Sequence, residues 1–214
     1  IWNTTKKHPT NTSIKTMNNR KDGYYNKAKK EGYASRAAYK LKELNEKYKI
    51  IRKNNTVLDA GCAPGGWLKV ISEIVGPNGI VIGVDVLDVK SVSQKNIIFI
   101  KGDFSEQETM NEILKYSQNF DVVVSDIAPN TTGQRIVDHT NSLDLVKKVF
   151  SFSKQVLKDR GNFLFKLFDG EDRESFTSEL KQYFDSVKII RPDATRKNSF
   201  EIYVVCTGFR NDNT

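Results

Sequence analysis

Val57-Leu58-Asp59-Ala60-Gly61-Cys62-Ala63-Pro64-Gly65-Gly66-Trp67 decides the reading of the chain: an apolar run ends in an acid, breaks at glycine and proline, and opens into an amphipathic segment. This is the pattern of a buried strand turning sharply into a helix. Glycine lacks a Cβ, so the backbone can turn tightly there and leave room for a ligand against the main chain. A nucleotide-like cofactor is expected at that turn.

Outward from this stretch the pattern repeats. Strands are expected at residues 56–61, 80–86, 97–101, 122–126, 163–168, 187–190 and 201–206. Helices are expected at 67–75, 106–116 and 140–157, with a further helix lined by Phe176, Leu180 and Phe184 at steps of four. Gly76-Pro77-Asn78-Gly79 is a strong turn signal, residues 127–138 read as a polar loop, and Gly161 is expected to turn the chain into the fifth strand. Apolar runs alternating with amphipathic helices indicate an α/β fold, a mostly parallel sheet with helices on both faces.

Upstream, residues 23–50 read as a basic helical arm. Ser35 is the expected N-cap of a helix from Arg36, with Tyr39, Leu41, Leu44 and Tyr48 on its buried side and Arg36 and Lys40 sharing a face. Residues 1–22 are polar with few apolar side chains, and are expected to be a disordered tail, as are 211–214. Residues 23–210 are thus expected to make one domain. The chain begins at Ile1, and its acid-free start is compatible with the end of a targeting segment.

Charge is concentrated, not spread. Residues 1–55 hold fifteen Lys/Arg against four Asp/Glu, a surplus of +11 in a chain whose total is +8, so the remainder carries −3. Such a block marks attraction to nucleic acid, although solvated tails carry similar runs. Hydrophobic residues make up 38% of the chain and no apolar run reaches the roughly 20 residues of a membrane span, so no membrane association is expected. Two widely separated cysteines, Cys62 and Cys206, suggest neither disulfide nor zinc site, and point to a reducing, intracellular compartment. Two histidines are too few for a His-based metal site, and no metal is expected.

In doubly wound sheets ligands bind outside the carboxyl ends of the strands. Asp85 lies about 20 residues beyond the glycine turn, where an acid accepts hydrogen bonds from ribose hydroxyls, and Asp103 follows the third strand within reach of a base. A lone aspartate at a strand end is ordinarily a turn or helix cap; the repetition argues otherwise. The turn lacks GxGxxG spacing and is poorly suited to a pyrophosphate. S-adenosylmethionine fits instead: its ribose and adenine suit the acids, its amino acid end suits Gly61, Gly65 and Gly66, and its sulfonium tolerates carboxylates.

Lys166, inside Phe163-Leu164-Phe165-Lys166-Leu167-Phe168, is the most informative single residue. A lysine in an apolar strand either snorkels to solvent or serves a function, because desolvating its charge is costly. Glu201, opening the last apolar run, poses the mirror question.

Five motifs, Ser35-Arg36-Ala37-Ala38-Tyr39-Lys40-Leu41, Asp59 to Trp67, Ser125-Asp126-Ile127-Ala128-Pro129-Asn130, Phe165-Lys166 and Ser199-Phe200-Glu201, together resemble the FtsJ/RrmJ family of RNA ribose 2′-O-methyltransferases. The resemblance runs from about Tyr24 to Phe209. It implies a Rossmann-like sheet of seven strands with the last antiparallel, a Lys-Asp-Lys-Glu tetrad on Lys40, Asp126, Lys166 and Glu201, and cofactor contacts from Gly65, Trp67, Asp85, Asp103 and Asp126.

It further implies methyl transfer from S-adenosylmethionine to an RNA ribose. Large-subunit ribosomal RNA or a ribosomal subunit leads as substrate, with a uridine as target nucleotide; tRNA follows and an mRNA cap comes third. Likeness to the rRNA branch leans toward an organelle, and a monomer is expected. A non-catalytic RNA-binding assembly factor is the rival, disfavoured by the intact tetrad. Lys166 is either a general base, with burial among Phe163, Phe165 and Phe168 and the nearby charge of Lys40 lowering its pKa, or a protonated orienter of the hydroxyl. The basic arm and the loop Arg191 to Lys197 are expected to grip RNA phosphates.

Overall fold

Val- and Ile-rich runs too short for helices pair into a single sheet in the computed structural model, which describes residues 23–89, 93–196 and 198–211. Expectations for residues 1–22 and 212–214, and for Lys197, lie outside the described residues. In chain order the elements are α1 (Gly23–Glu31), α2 (Ala37–Tyr48), β1 (Thr56–Ala60), α3 (Gly66–Val75), β2 (Ile80–Asp85), β3 (Ile97–Lys101), α4 (Gln107–Tyr116), β4 (Phe120–Ser125), α5 (Arg135–Val156), β5 (Leu157–Phe168), α6 (Arg173–Leu180), β6 (Phe184–Ile190) and β7 (Glu201–Phe209). Among the described residues no helix is long and apolar enough to cross a membrane.

The sheet order is β3-β2-β1-β4-β5-β7-β6. All neighbours pair in parallel except β7, which runs antiparallel to both β5 and β6. The chain works outward from β1 through β2 to β3, then returns to lay β4 on the other side of β1. That reversal opens a crevice at the carboxyl ends of β1 and β4. The expected seven-stranded α/β fold is the one observed.

Alternation along the strands sorts side chains into two cores. Leu58, Ile82, Val123, Phe163 and Phe165 pack with α4, α5 and α6 on one face, through residues such as Ile113, Phe150 and Phe176. Val57, Val81, Val122, Leu164 and Val205 pack on the other, against Leu41 and Leu44 of α2 and Leu68 and Ile71 of α3. Tyr39 is buried with them and Tyr48 only partly.

Several expectations change. Phe184 opens β6: α6 stops at Leu180, and Phe184 meets Phe209 of β7 at 5.3 Å between ring centroids. Its step of four from Leu180 imitates a helix because both residues reach the same core. The polar loop after β4 ends at Gln134, since α5 begins at Arg135. Strand β5 begins at Leu157, not beyond Gly161. Phe120 pairs with Leu157 and Val122 with Asn162, so the intervening residues bulge, Arg160 takes φ 62°, and the ion pairs Lys158–Asp121 and Arg160–Asp185 hold them there.

Ser35 does not cap α2. Arg36 takes the cap position without a side-chain bond, and the Ser35 hydroxyl packs against Gly66, where any Cβ would collide with it. At Gly61 the backbone itself calls for glycine. It has φ +79°, and a Cβ there would lie 2.7 Å from the Ile127 Cα. Left-handed backbone and a backbone collision act together, so Gly61→Ala should cost roughly 2 kcal/mol or more. Thermal unfolding of the two proteins checks this; an unchanged melting temperature would refute it.

Candidate active site

Strand parity decides which side chains meet. Lys166 shares the Leu164 face of β5, and Glu201 and Tyr203 share the Val205 face of β7, so all three point toward the α2 and α3 layer. Lys166 pairs in register with Tyr203, and Glu201 with Phe168. Helix α2 crosses this face and contributes Lys40; Asp126 is the first residue beyond β4. Phe163 and Phe165 lie on the opposite face, which corrects the expectation that they surround Lys166.

The four residues form two pairs joined by a tyrosine. Lys166 Nζ donates to the Asp126 carbonyl at 2.6 Å and lies 3.0 Å from Asp126 Oδ1. Lys40 Nζ donates to Glu201 Oε1 and, at 3.3 Å, to the Tyr203 hydroxyl. The Tyr203 hydroxyl in turn donates to Asp126 Oδ1 at 2.8 Å. Asp126 Oδ2 receives no hydrogen bond from another described residue. Both lysines are 7% exposed, so Lys166 does not snorkel to solvent.

Tyr203 escaped the sequence reading. It lies two residues beyond Glu201 on the same face, a spacing that could have exposed it. Burial, followed by the charges of Asp126 and Glu201, pushes its phenol well above the ordinary range and keeps it a donor.

Beside these pairs lies a cavity of about 710 Å³ whose wall includes Gly61, Asp85, Asp103, Asp126 and Lys166. Asp85 accepts hydrogen bonds from Ala63 N at 2.8 Å and Leu87 N at 2.9 Å, bracing the glycine turn. Asp103 Oδ1 accepts from both the backbone N and the hydroxyl of Ser105 at 2.8 Å, and these bonds hold its carboxyl below the usual range. Gly65, Gly66 and Trp67 are off this wall. Trp67 is buried, donates from Nε1 to the Ala37 carbonyl at 2.9 Å and sits 6.0 Å from the Tyr203 ring, so it supports the tyrosine. An adjoining cavity of about 440 Å³ is lined by Arg36, Lys40, Arg196, Asn198, Ser199 and Glu201.

The basic arm is partly committed to its own packing. Tyr33 and Tyr39 lie 6.0 Å apart, Lys42 Nζ is 4.2 Å from the Tyr33 centroid, and the Tyr33 hydroxyl donates to Glu73 at 2.7 Å. The 191–199 loop is tied to the same helix layer, since Arg36 donates to the Ala194 carbonyl and Asp193 N to Glu43 at 3.0 Å. Arg191 donates to the Ser199 carbonyl, closing the loop on itself.

Beneath the glycine turn, Asp59 is fully buried, and neither of its oxygens has a hydrogen-bond partner among the described residues. Burial first, then the carboxylates of Asp126 and Asp85, raise its carboxyl well above the ordinary range. The Cys62 thiol beside it is raised by burial and by the charges of Asp59 and Asp85, which makes it inert.

A model of the FtsJ-like methyltransferase family matches residues 33–209. The ribosomal RNA large subunit methyltransferase E of Methanocaldococcus jannaschii is 44% identical over 193 residues, 88% of this chain and 79% of that protein. The protein of the same name from Archaeoglobus fulgidus is 44% identical over 194 residues, covering 91% of this chain and 99% of the relative. Among solved structures, a Plasmodium falciparum chain provisionally described as a ribosomal RNA methyltransferase superposes with a TM-score of 0.73 at 33% identity, covering 83% of this chain and 98% of that one.

The state of Asp59 gives a measurable stability signature. An unfolded aspartate ionises near pH 3.9, while the folded one keeps its proton to higher pH. Below about pH 4 both states are protonated and the residue costs nothing through titration. As pH rises past that point, ionisation favours the unfolded chain, and stability is lost until the folded carboxyl itself titrates. Asp59→Asn removes the titration, so its melting temperature should gain on the parent's between pH 4 and pH 8. A pH-independent difference would refute the assignment.

Proposed function

The chain belongs to the FtsJ-like methyltransferase family, and from that premise we propose that it transfers the methyl group of S-adenosylmethionine to a ribose 2′-hydroxyl of large-subunit ribosomal RNA. The observation that carries this reading is the juxtaposition of two buried lysine–carboxylate pairs, Lys166–Asp126 and Lys40–Glu201, with a nucleoside-sized cavity at the crevice.

The residues on the cavity wall suit S-adenosylmethionine. Asp85 and Asp103 offer carboxylate acceptors of the kind that ribose hydroxyls and an amino group take, and Gly61 keeps the backbone clear beside them. No cradle of backbone donors for a pyrophosphate is needed. S-adenosylmethionine, when bound, supplies a methyl group made electrophilic by its sulfonium.

The chain's own residues then orient the acceptor. Both contacts of Lys166 are acceptors, so it meets them as a donor and has one N–H left for the hydroxyl oxygen. An ammonium that keeps a donor for the substrate is the orienting role proposed here for Lys166. Lys40, held by Glu201 and Tyr203, supplies a second fixed cation at the adjoining cavity. The hydroxyl would lose its proton as the oxygen–carbon bond forms and the donor's sulfur–carbon bond breaks, and Asp126 Oδ2, the oxygen of that carboxylate without a hydrogen bond, is the proton acceptor at hand. Fixed dipoles and charges of this kind lower the barrier mainly by positioning and by costing no reorganisation.

Ribosomal RNA is favoured over tRNA because the M. jannaschii and A. fulgidus relatives carry that substrate in their names. The test is incubation with labelled S-adenosylmethionine and separated large-subunit rRNA, large ribosomal subunits and tRNA, followed by mapping of 2′-O-methyl positions. Label confined to rRNA or the subunit is expected; label on tRNA alone would overturn the substrate. Lys166→Ala should reduce methyl transfer by about 100-fold or more while the affinity for S-adenosylmethionine, read by calorimetry, stays within a few-fold. Loss of cofactor binding as well would assign Lys166 to the scaffold.

A further inference from the structure

The polar groove continues past Glu201. Asn198 and Ser199 line both the cavity that holds Lys40 and Glu201 and a second one of about 310 Å³, which Arg135, Asp169, Arg191 and Phe200 complete, the Asp169 carboxylate being paired with Arg173 at 2.7 Å. Phe200 is half-buried, its ring centroid 4.7 Å from that of Phe168 at a tilt of 49°. The Arg135 guanidinium carbon lies 5.3 Å from the Phe200 centroid. Arg135 is exposed and has no hydrogen bond or ion pair with another described residue.

The guanidinium lies against an aromatic ring with its own donors uncommitted. Exposed cation–π contacts contribute little to stability, about 0.5–1 kcal/mol. Proteins that hold unpaired nucleotides stack the bases on aromatic rings and on guanidinium planes, while neighbouring cations follow the phosphates. All these parts are present: Arg36 and Arg196 line the first cavity and Arg191 the second, while the two acids on these walls, Glu201 and Asp169, are paired with Lys40 and Arg173, so the groove keeps a positive surplus that attracts a polyanion. Phe200 directly precedes Glu201, and Phe168 beneath it is two residues from Lys166 on β5. A base held there belongs to a nucleotide beside the acceptor.

We propose that Arg135 and Phe200 form a second nucleotide site, where the base next to the acceptor ribose in a single-stranded stretch of RNA stacks. This rests on the RNA-methylation reading above. Stacking at this site gives the enzyme a grip on the base flanking its target, in addition to the sequence-blind attraction of the groove.

Steady-state methylation of deproteinised large-subunit rRNA tests it. Arg135→Ala and Phe200→Ala should each raise KM for the RNA roughly tenfold, a larger change than any in kcat. Arg135→Lys keeps the charge without the plane and should resemble Arg135→Ala; wild-type KM in the lysine variant would overturn stacking in favour of simple charge.

Because Phe200→Ala could loosen Phe168, Phe200→Trp gives a reading that does not depend on truncation. The emission added by the indole should be quenched by a short single-stranded oligoribonucleotide and not by polyphosphate, which has the charge without bases. Equal responses to both, or none, would overturn the proposal. Alanine variants that match a wild type active on rRNA would sink this site and leave the methylation reading standing; a wild type inactive on every RNA tested would sink both.

Discussion

Two ammonium groups and two carboxylates meet between a largely apolar sheet face and helix α2, and each charge is tolerated there because its counterion is in contact with it. An isolated lysine at the position of Lys166 would carry a desolvation cost of several kcal/mol. With Asp126 against it, and with Tyr203 bridging to the Lys40–Glu201 pair, the four charges become one neutral network. Removing any single member strands an opposite charge in a dry place, which is why such networks are destabilised far more by single truncations than by wholesale apolar replacement. The network is therefore a weak stabilising device, and the role proposed for it accounts for its presence.

The rest of the molecule serves to bring its members together. Lys40 comes from α2, Asp126 from the loop after β4, Lys166 from β5 and Glu201 and Tyr203 from β7, so four separate segments must be held in register. Helix α2 is fixed by Leu41 and Leu44 in the core, by Trp67 donating to Ala37 and by Asn45, which exchanges two hydrogen bonds with the backbone of Ile51 at 2.7 and 3.2 Å. The loop after β4 is shaped by Asp138, whose carboxylate accepts from Thr132 N at 2.6 Å, Thr132 Oγ1 at 2.9 Å and Gly133 N at 3.2 Å. These bonds fix the far end of the loop, while Asp126 itself is held by Lys166 and Tyr203.

Much of this was legible beforehand for definite physical reasons. The strands β1 to β4 are apolar runs bounded by glycine, asparagine and acids, so length and composition alone marked them, and the acids fell at the carboxyl edge because strands must end where desolvation ends. Lys166 stood out because nothing else in its run is polar. What failed were inferences that need three dimensions. Phe184 keeps helical spacing with Phe176 and Leu180 only because a turn returns it to the same core. The first residues of β5 are charged and bulged, so no alternation betrays them. Ser35 has the chemistry of a cap, yet its hydroxyl is drawn into the contact with Gly66. Asp59 looked like one more strand-end acid, and only burial distinguishes it from Asp85 and Asp103, which keep backbone or hydroxyl partners.

The reversed strand explains why so much converges on one edge. In a wholly parallel sheet every loop that enters a strand lies at the amino edge, away from the ligand crevice. Strand β7 runs antiparallel between β5 and β6, so its entry loop lies at the carboxyl edge, beside the end of β5. That single inversion brings Arg191, Arg196 and Phe200 to the crevice and starts β7 with Glu201 opposite Phe168. From there the alternation of the strand faces Glu201 and Tyr203 toward Lys40, while Phe200, at the strand's threshold, stays at the rim against Arg135. Phe200 at the groove and Glu201 in the charge network are thus consecutive residues of one strand entry, which fixes how far the rim stands from the network.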